Sequence, residues 1–235
     1  MARYLLAEHV FVCVDGDQVV FLDLKADRYW ALEAASTVGL DVLVRGWPVP
    51  APSGVDGSRS GRVADVSPLI DRGLITEIAA GGKDATPVRP AAAGGELLPA
   101  GQSVSGRGGS WTKFVASALT ARFLIRCVPF ERVIRRVKLR KTSRGAVGQR
   151  FDAERARSVL ASFAHYRVFL FASRDECLYD SLALLEFLAR YGIYPEWIFG
   201  VQTRPFAAHC WVQHGELVFN DTAEHISGFT PIMVV

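Results

Sequence analysis

Three residues in the last third of the chain have types and an order suited to nucleophilic chemistry: Cys177, His209 and Asp221. A cysteine nucleophile needs a base, usually histidine, and the base needs an acceptor that holds its ring. Cys177 opens the run "CLYDSLALLEFLARYG", in which Leu178, Leu182 and Leu185, with Ser181, Leu184 and Leu188, recur at helical spacing. That spacing predicts a helix over 175–190 with a broad apolar face, stopped by Gly192. Two N-caps are open to it: Ser173 with Glu176 three residues on, or Asp175. An Asp175 cap makes Cys177 the second helical residue, with an amide free to receive an oxyanion, whereas a Ser173 cap commits that amide. In either register the thiol lies in the first turn, where the positive helix end favours a thiolate. A lone helical cysteine is more often buried than reactive, so its companions decide.

Those companions sit on "AAHCWVQHGELVFNDT", two alternating runs around His214-Gly215 that read as a hairpin. A two-residue turn at 214–215 pairs 213 with 216 and sets 209 opposite 220. Asn220 then faces His209, and a one-residue bulge would bring Asp221 there instead. Amide and carboxylate can both orient an imidazole; the carboxylate also stabilises the imidazolium, which favours Asp221. His214 in the turn, His165 on a helix and His225 in a terminal loop read as surface residues. Cys210, opposite in direction to His209 on its strand, reads as core packing, as do Cys13 and Cys127.

The rest of the chain must position these groups. Its 235 residues, 50% hydrophobic, suffice for one full-sized domain and a smaller one. With 27 Lys+Arg against 24 Asp+Glu the net charge is +3, too small to imply a nucleic-acid partner. No signal-peptide pattern and no membrane-length apolar run is present, which predicts a cytoplasmic protein. The four cysteines form no Cys-x-x-Cys pair, so no metal site is expected from them. Residues 9–32 predict a three-stranded meander with turns at "DGD" and "KAD". A helical segment near 34–45 and a loop follow, then a short helix begun by Pro68 and capped by Ser67.

The fold class is α+β: a small domain over 1–80, a Gly/Ala/Pro-rich flexible linker over 81–110, and a second domain over 111–235 whose opening helices break at Pro129. Between 122 and 150 stand ten Arg/Lys and one acid, Glu131. That stretch reads as a solvated helix face or, more sharply, a docking surface for an anionic partner.

The runs "RDECLYDSLALLEFLARYG", "AHCWV" and "FND" resemble the lasso-peptide B family, whose peptidase half has a transglutaminase-like, papain-related Cys-His-Asp fold. Cys210 stands where that family commonly has a small residue. The meander with "FLDLKADRYWAL" is similar to the family's PqqD-like precursor-recognition element, a small winged helix-turn-helix. The resemblance implies a leader peptidase that binds a ribosomal precursor and cuts between leader and core, with Cys177 as nucleophile, His209 as base and Asp221 as orienting group. It further implies leader contacts at Asp27, Arg28, Tyr29 and Trp30 on the third strand and at Leu69, Asp71 and Arg72 on the helix, and an ATP-dependent, asparagine-synthetase-like cyclase as partner. ATP has been associated with the fused family, but no Gly-rich loop ending in Lys-Ser/Thr is present, so no cofactor is expected for the peptidase step. The same three roles also serve transglutaminase or deamidase chemistry, and a non-catalytic precursor-binding scaffold is the alternative from outside enzymology.

Overall fold

The computed structural model describes residues 2–48, 65–99, 108–143, 151–168 and 177–235. The chain divides into two compact units, one of Met1–Arg89 with Val201–Ala207 and Thr230–Met233, the other of Pro90–Gly200, Ala208–Phe229 and Val234–Val235. No helix among the described residues is long and apolar enough to cross a membrane.

In the first unit a short strand β1 (Leu5–Ala7) precedes the expected meander, β2 (Val10–Asp15), β3 (Gln18–Asp23) and β4 (Arg28–Glu33), ordered β2-β3-β4. Asp15 pairs Gln18 across a two-residue turn in which Gly16 takes a positive φ of 57°, a conformation glycine adopts without a Cβ penalty. The second turn is built by Asp23, whose carboxylate accepts the amides of Lys25 and Ala26 at 2.9 and 3.0 Å. Val10, Val12, Val19 and Phe21 bury one face of this sheet with Leu6, Leu40, Trp47, Leu69 and Leu74.

The helix expected over 34–45 is instead a 3-10 turn (Ala34–Thr37) and the one-turn helix α1 (Leu40–Leu43). Gly39, at φ 88°, separates them. Helix α2 (Ser67–Asp71) has Pro68 in its first turn as expected, but Ser67 is itself helical; the side chain that receives its amide, at 2.9 Å, is that of Asp65. β5 (Ile75–Thr76) and β6 (Gly82–Lys83) flank β1 in a second small sheet.

Residues 82–99, read from composition as part of a flexible linker, carry β6 and, in the second unit, β7 (Gly95–Glu96), and bury Ala85 and Leu97 completely. Small residues let this stretch lie along sheet edges; two fully buried side chains are enough to fasten it.

The second unit contains helices α3 (Trp111–Cys127), α4 (Phe130–Ser143), α5 (Ala153–Arg167) and α6 (Cys177–Ala189). The break between α3 and α4 falls at Pro129 as expected, and Cys127, expected in the core, is exposed at the end of α3. Cys13 is fully buried. Arg136 and Arg140 of the basic stretch pair with the buried Glu186 of α6, at 3.6 and 2.7 Å, so part of that charge serves packing. Gly192, at φ 75°, ends α6, and the amide of Ile193 returns to the Leu188 carbonyl at 3.1 Å. Strands β8 (Glu196–Thr203), β9 (Phe206–His214), β10 (Leu217–Val218) and β11 (Thr230–Val234) join β7 in a five-stranded sheet ordered β11-β8-β9-β10-β7, with helix α7 (Ala223–Ile226) between β10 and β11.

Candidate active site

Strand β9 carries His209 and, on its other face, Cys210, which is 2% exposed. The hairpin register differs from the expected one. His214 pairs Leu217 and Gln213 pairs Val218, so the two-residue turn is Gly215-Glu216, not His214-Gly215. Gly215, at φ 56°, takes the first central position, the place where a hairpin turn with one positive φ wants glycine. His214 is therefore a strand residue, its ring stacked 4.0 Å from that of Phe151.

This register ends β10 at Val218 and leaves Asn220 and Asp221 beyond the ladder, where each makes its own contacts. Asn220 turns to partners other than the His209 ring. Its carbonyl oxygen accepts the amide of Val212 at 2.8 Å, and its Nδ2 donates to Asp180 and Ser181 of α6 at 3.2 and 3.0 Å. The Ser181 hydroxyl in turn donates to the Cys210 carbonyl at 3.1 Å. These bonds tie α6, which bears Cys177, to β9, which bears His209. Asp221 needs no bulge to reach the ring: its Oδ2 lies 2.5 Å from His209 Nε2.

Cys177 lies close enough to His209 and Cys210 for their side chains and the Cys210 amide to act on its thiol. With Nε2 engaged by Asp221, Nδ1 is the nitrogen left to His209 for the thiol. The bond from the Cys210 side chain, then those from His209 and the Cys210 amide, outweigh burial and bring the Cys177 thiol down to about 4. Burial by itself would lower the His209 pKa, but its bonds to Asp221 and Cys177, and their charges, raise it to about 9. Burial, and then the neighbouring Cys177 sulfur, push Cys210 well above its ordinary value, so Cys210 keeps its proton. Asp221 is held below the usual carboxylate range despite burial, through His209, the Thr222 amide and His225. At neutral pH the pair is a thiolate beside an imidazolium, the state a cysteine nucleophile requires.

A family model of the transglutaminase-like superfamily matches residues 117–234, half of the chain, and this span holds Cys177, His209 and Asp221. The chain belongs to the transglutaminase-like superfamily. No curated protein and no solved structure gives a significant match.

Within this transglutaminase-like part, two neighbours of the site were not expected. Cys210 is buried as foreseen, yet it also lies near enough to Cys177 for each thiol to shift the other's pKa; strand alternation alone shows which face a residue takes, not which helix covers that face. His225, read as a loop residue, lies on α7 with Nδ1 2.9 and 3.1 Å from the two Asp221 oxygens. Thr222 caps that helix by accepting the His225 amide at 3.2 Å. A threonine three residues before His225 was the available signal for a helix start here. His209, Asp221 and His225 present ligand atoms that all lie within 4.8 Å of one another, a grouping that can hold a metal ion. The capping alternatives Ser173 and Asp175 lie outside the described residues.

The residues that the resemblance assigns to leader binding lie in the first unit, outside the matched span. Asp27 is in the β3–β4 turn at φ 51°, and Arg28 is exposed at the start of β4. Tyr29 and Trp30 are half-buried, with the Arg72 guanidinium 5.1 Å from the centre of the Trp30 ring. Asp71 is exposed, but Leu69 is 3% exposed and packs into the core, so it does not offer a surface contact. Helix α2 is one turn long, and its single strongly apolar inward position falls to Leu69.

Proposed function

We propose that this protein is a leader peptidase of lasso-peptide biosynthesis, with Cys177 as nucleophile, His209 as general base and acid, and Asp221 as the group that orients His209. The observation that carries the reading is the hydrogen bond of His209 to Asp221, with Cys177 near enough for the imidazole to help lower its pKa. Superfamily membership and the sequence runs around the three residues support it.

In the proposed reaction the Cys177 thiolate attacks the carbonyl carbon of the leader's last residue, and the carbon–sulfur bond forms as the carbonyl becomes an oxyanion. The imidazolium of His209 gives its proton to the departing core nitrogen, the peptide bond breaks and a thioacyl enzyme remains on the leader. Water, deprotonated by His209, then displaces the sulfur and yields the leader carboxylate and free Cys177. The core leaves with a free α-amine, which a separate ATP-dependent, asparagine-synthetase-like cyclase would join to a side-chain carboxyl. Neither ATP nor another cofactor is needed for this step.

The first unit is proposed as a PqqD-like, winged helix-turn-helix recognition element. β4 pairs only with β3, so its outer edge is open to an added strand among the described residues. The leader would bind there, near Asp27, Arg28, Tyr29, Trp30, Asp71 and Arg72, by β-augmentation. Holding the leader raises the local concentration of the scissile bond at Cys177.

Incubation of the full chain with a precursor whose leader has threonine one residue before the cleaved residue, followed by intact-mass analysis, tests the proposal. Two fragments that sum to the precursor plus one water are expected; loss of ammonia from an uncut chain would instead favour the transglutaminase or deamidase reading, which the superfamily also accommodates. Wild-type scission by Cys177→Ala would refute thiol catalysis altogether.

A further inference from the structure

A Cys-His-Asp relay needs one imidazole on its carboxylate, and here there are two. Asp221 receives His209 Nε2 at 2.5 Å through Oδ2 and His225 Nδ1 at 2.9 Å through Oδ1. The ring centroids are 4.9 Å apart. We propose that His209, Asp221 and His225 form a binding site for a zinc-class divalent cation, and that the bound ion holds back the chemistry of Cys177. The second half rests on the peptidase reading; the first does not.

The donor set is the reason for naming zinc. Two imidazoles and a carboxylate are borderline ligands that suit a late first-row divalent ion, and three protein ligands with a fourth position left to water is a recurrent zinc arrangement. Bonds of about 2.0–2.1 Å in a tetrahedron set ligand atoms about 3.3 Å apart. The three atoms here already lie within 4.8 Å of one another, so shifts of side chains suffice.

Access and support are both present. The side chain of His225 is 55% exposed while those of His209 and Asp221 are 15% exposed, so the site has one open side. The imidazole rings are backed by Phe229, at 5.1 and 5.5 Å between centroids. Asp221 Oδ1 also accepts the Thr222 amide at 2.7 Å, and Glu96 accepts the amide of Ala223 at 3.1 Å, which fixes the start of α7. Such outer contacts orient ligands and stiffen a site.

On binding, the ion replaces the proton of His209 Nε2, which leaves to solvent, and forms bonds to that nitrogen, to a carboxylate oxygen and to His225 Nδ1. His209 then no longer has Asp221 as its orienting partner, and its neutral ring, with Nε2 on the metal and its one proton on the Nδ1 that faces Cys177, has no free nitrogen to take a proton from the thiol or from water.

The test uses the metal-stripped full chain and zinc chloride against a chromophoric competing chelator, with cobalt(II) as a spectroscopic probe. Wild type is expected to bind one zinc, His225→Ala to bind at least tenfold more weakly, and cobalt to give visible d–d bands that His225→Ala lacks. Equal zinc affinity in wild type and His225→Ala overturns the site. So does a thiolate-to-cobalt charge-transfer band in wild type, which would put the ion on Cys177 or Cys210. The wild-type cobalt spectrum decides independently of how well any variant folds. Zinc that binds without slowing precursor scission overturns the inhibitory half. Absence of scission in metal-free protein counts against the peptidase reading alone, because the titrations read the site directly.

Discussion

Asn220 and Asp221, adjacent in sequence, hold different parts of the site: Asn220 fastens strand β9 to helix α6, and Asp221 turns to the ring of His209. One residue sets where the two halves meet and the other sets the direction of the imidazole.

Separate roles predict separate defects. Asn220→Ala removes the acceptor of the Val212 amide and a donor to the buried Asp180, at a cost of about 1–3 kcal/mol for the groups left unsatisfied. It should lower the urea midpoint and slow Cys177 alkylation. Asp221→Asn should leave the urea midpoint closer to wild type while slowing leader scission by about 10²–10⁴, the range of a lost acid–base arrangement. Equal stability loss in both variants would contradict this division.

The thiolate–imidazolium pair sets a pH window. Cys177 at about 4 ionises first and His209 at about 9 loses its proton last, and the two steps belong to the coupled pair. Alkylation of Cys177 by iodoacetamide should therefore rise through pH 4 and already be fast at pH 6. Scission should fall again above pH 9, where His209 can no longer protonate the leaving nitrogen. An alkylation midpoint near that of a free thiol, about 8.5, would show that the pair is not formed.

Asp180 behaves in the opposite sense to a stabilising ion pair. Burial raises its pKa, against Arg167 at 2.9 Å and the Asn220 amide, which both lower it. A carboxyl whose folded pKa is raised makes the folded state less stable as pH rises from the unfolded value, about 3.9, through the raised one. Asp180→Asn should thus compare more favourably with wild type at pH 7 than at pH 4, measured by chemical denaturation at both. The reverse trend would mean that its pairing with Arg167 outweighs burial.

Gly200 of β8 is the point where two aromatic supports close in. A Cβ there would lie 2.9 Å from the Phe229 Cβ and 2.9 Å from Trp211 Cζ3. Both rings flank His209, at 5.1 and 6.1 Å. Gly200→Ala should cost about 1–3 kcal/mol through overpacking and slow Cys177 alkylation as His209 is displaced. Gly215→Ala, whose Cβ meets nothing within 4 Å, should cost only about 1 kcal/mol for its positive φ and leave alkylation unchanged.

The periodic segments were legible in the sequence: the meander, the leucine-rich helix with its Gly192 stop, and the break at Pro129 all follow local patterns. The pairing of His209 with Asp221 was also reachable from their places on the two arms of the hairpin. The hairpin register was not, because His214-Gly215 and Gly215-Glu216 both offer a two-residue turn, and only the backbone shows that glycine takes the first place. One step in that turn moved every facing pair and made a bulge unnecessary. The split near Gly39 and the non-capping Ser67 depend on which of several small polar residues wins a local competition. Cys127 was misplaced because α3 turns its last residue to solvent, and Leu69 because a one-turn helix has little choice of inward side chain. His225 escaped notice because its role comes from a carboxylate four residues away, across a helix start too short to show periodicity.

Helix α6 buries Leu182, Leu184, Leu185, Phe187 and Leu188 around most of its circumference. A segment enclosed in this way opens only when its whole unit opens, so its amides belong to the slowest-exchanging class. Heat inactivation is therefore expected to follow the cooperative melting of that unit, with residual activity and the circular-dichroism signal falling at the same temperature.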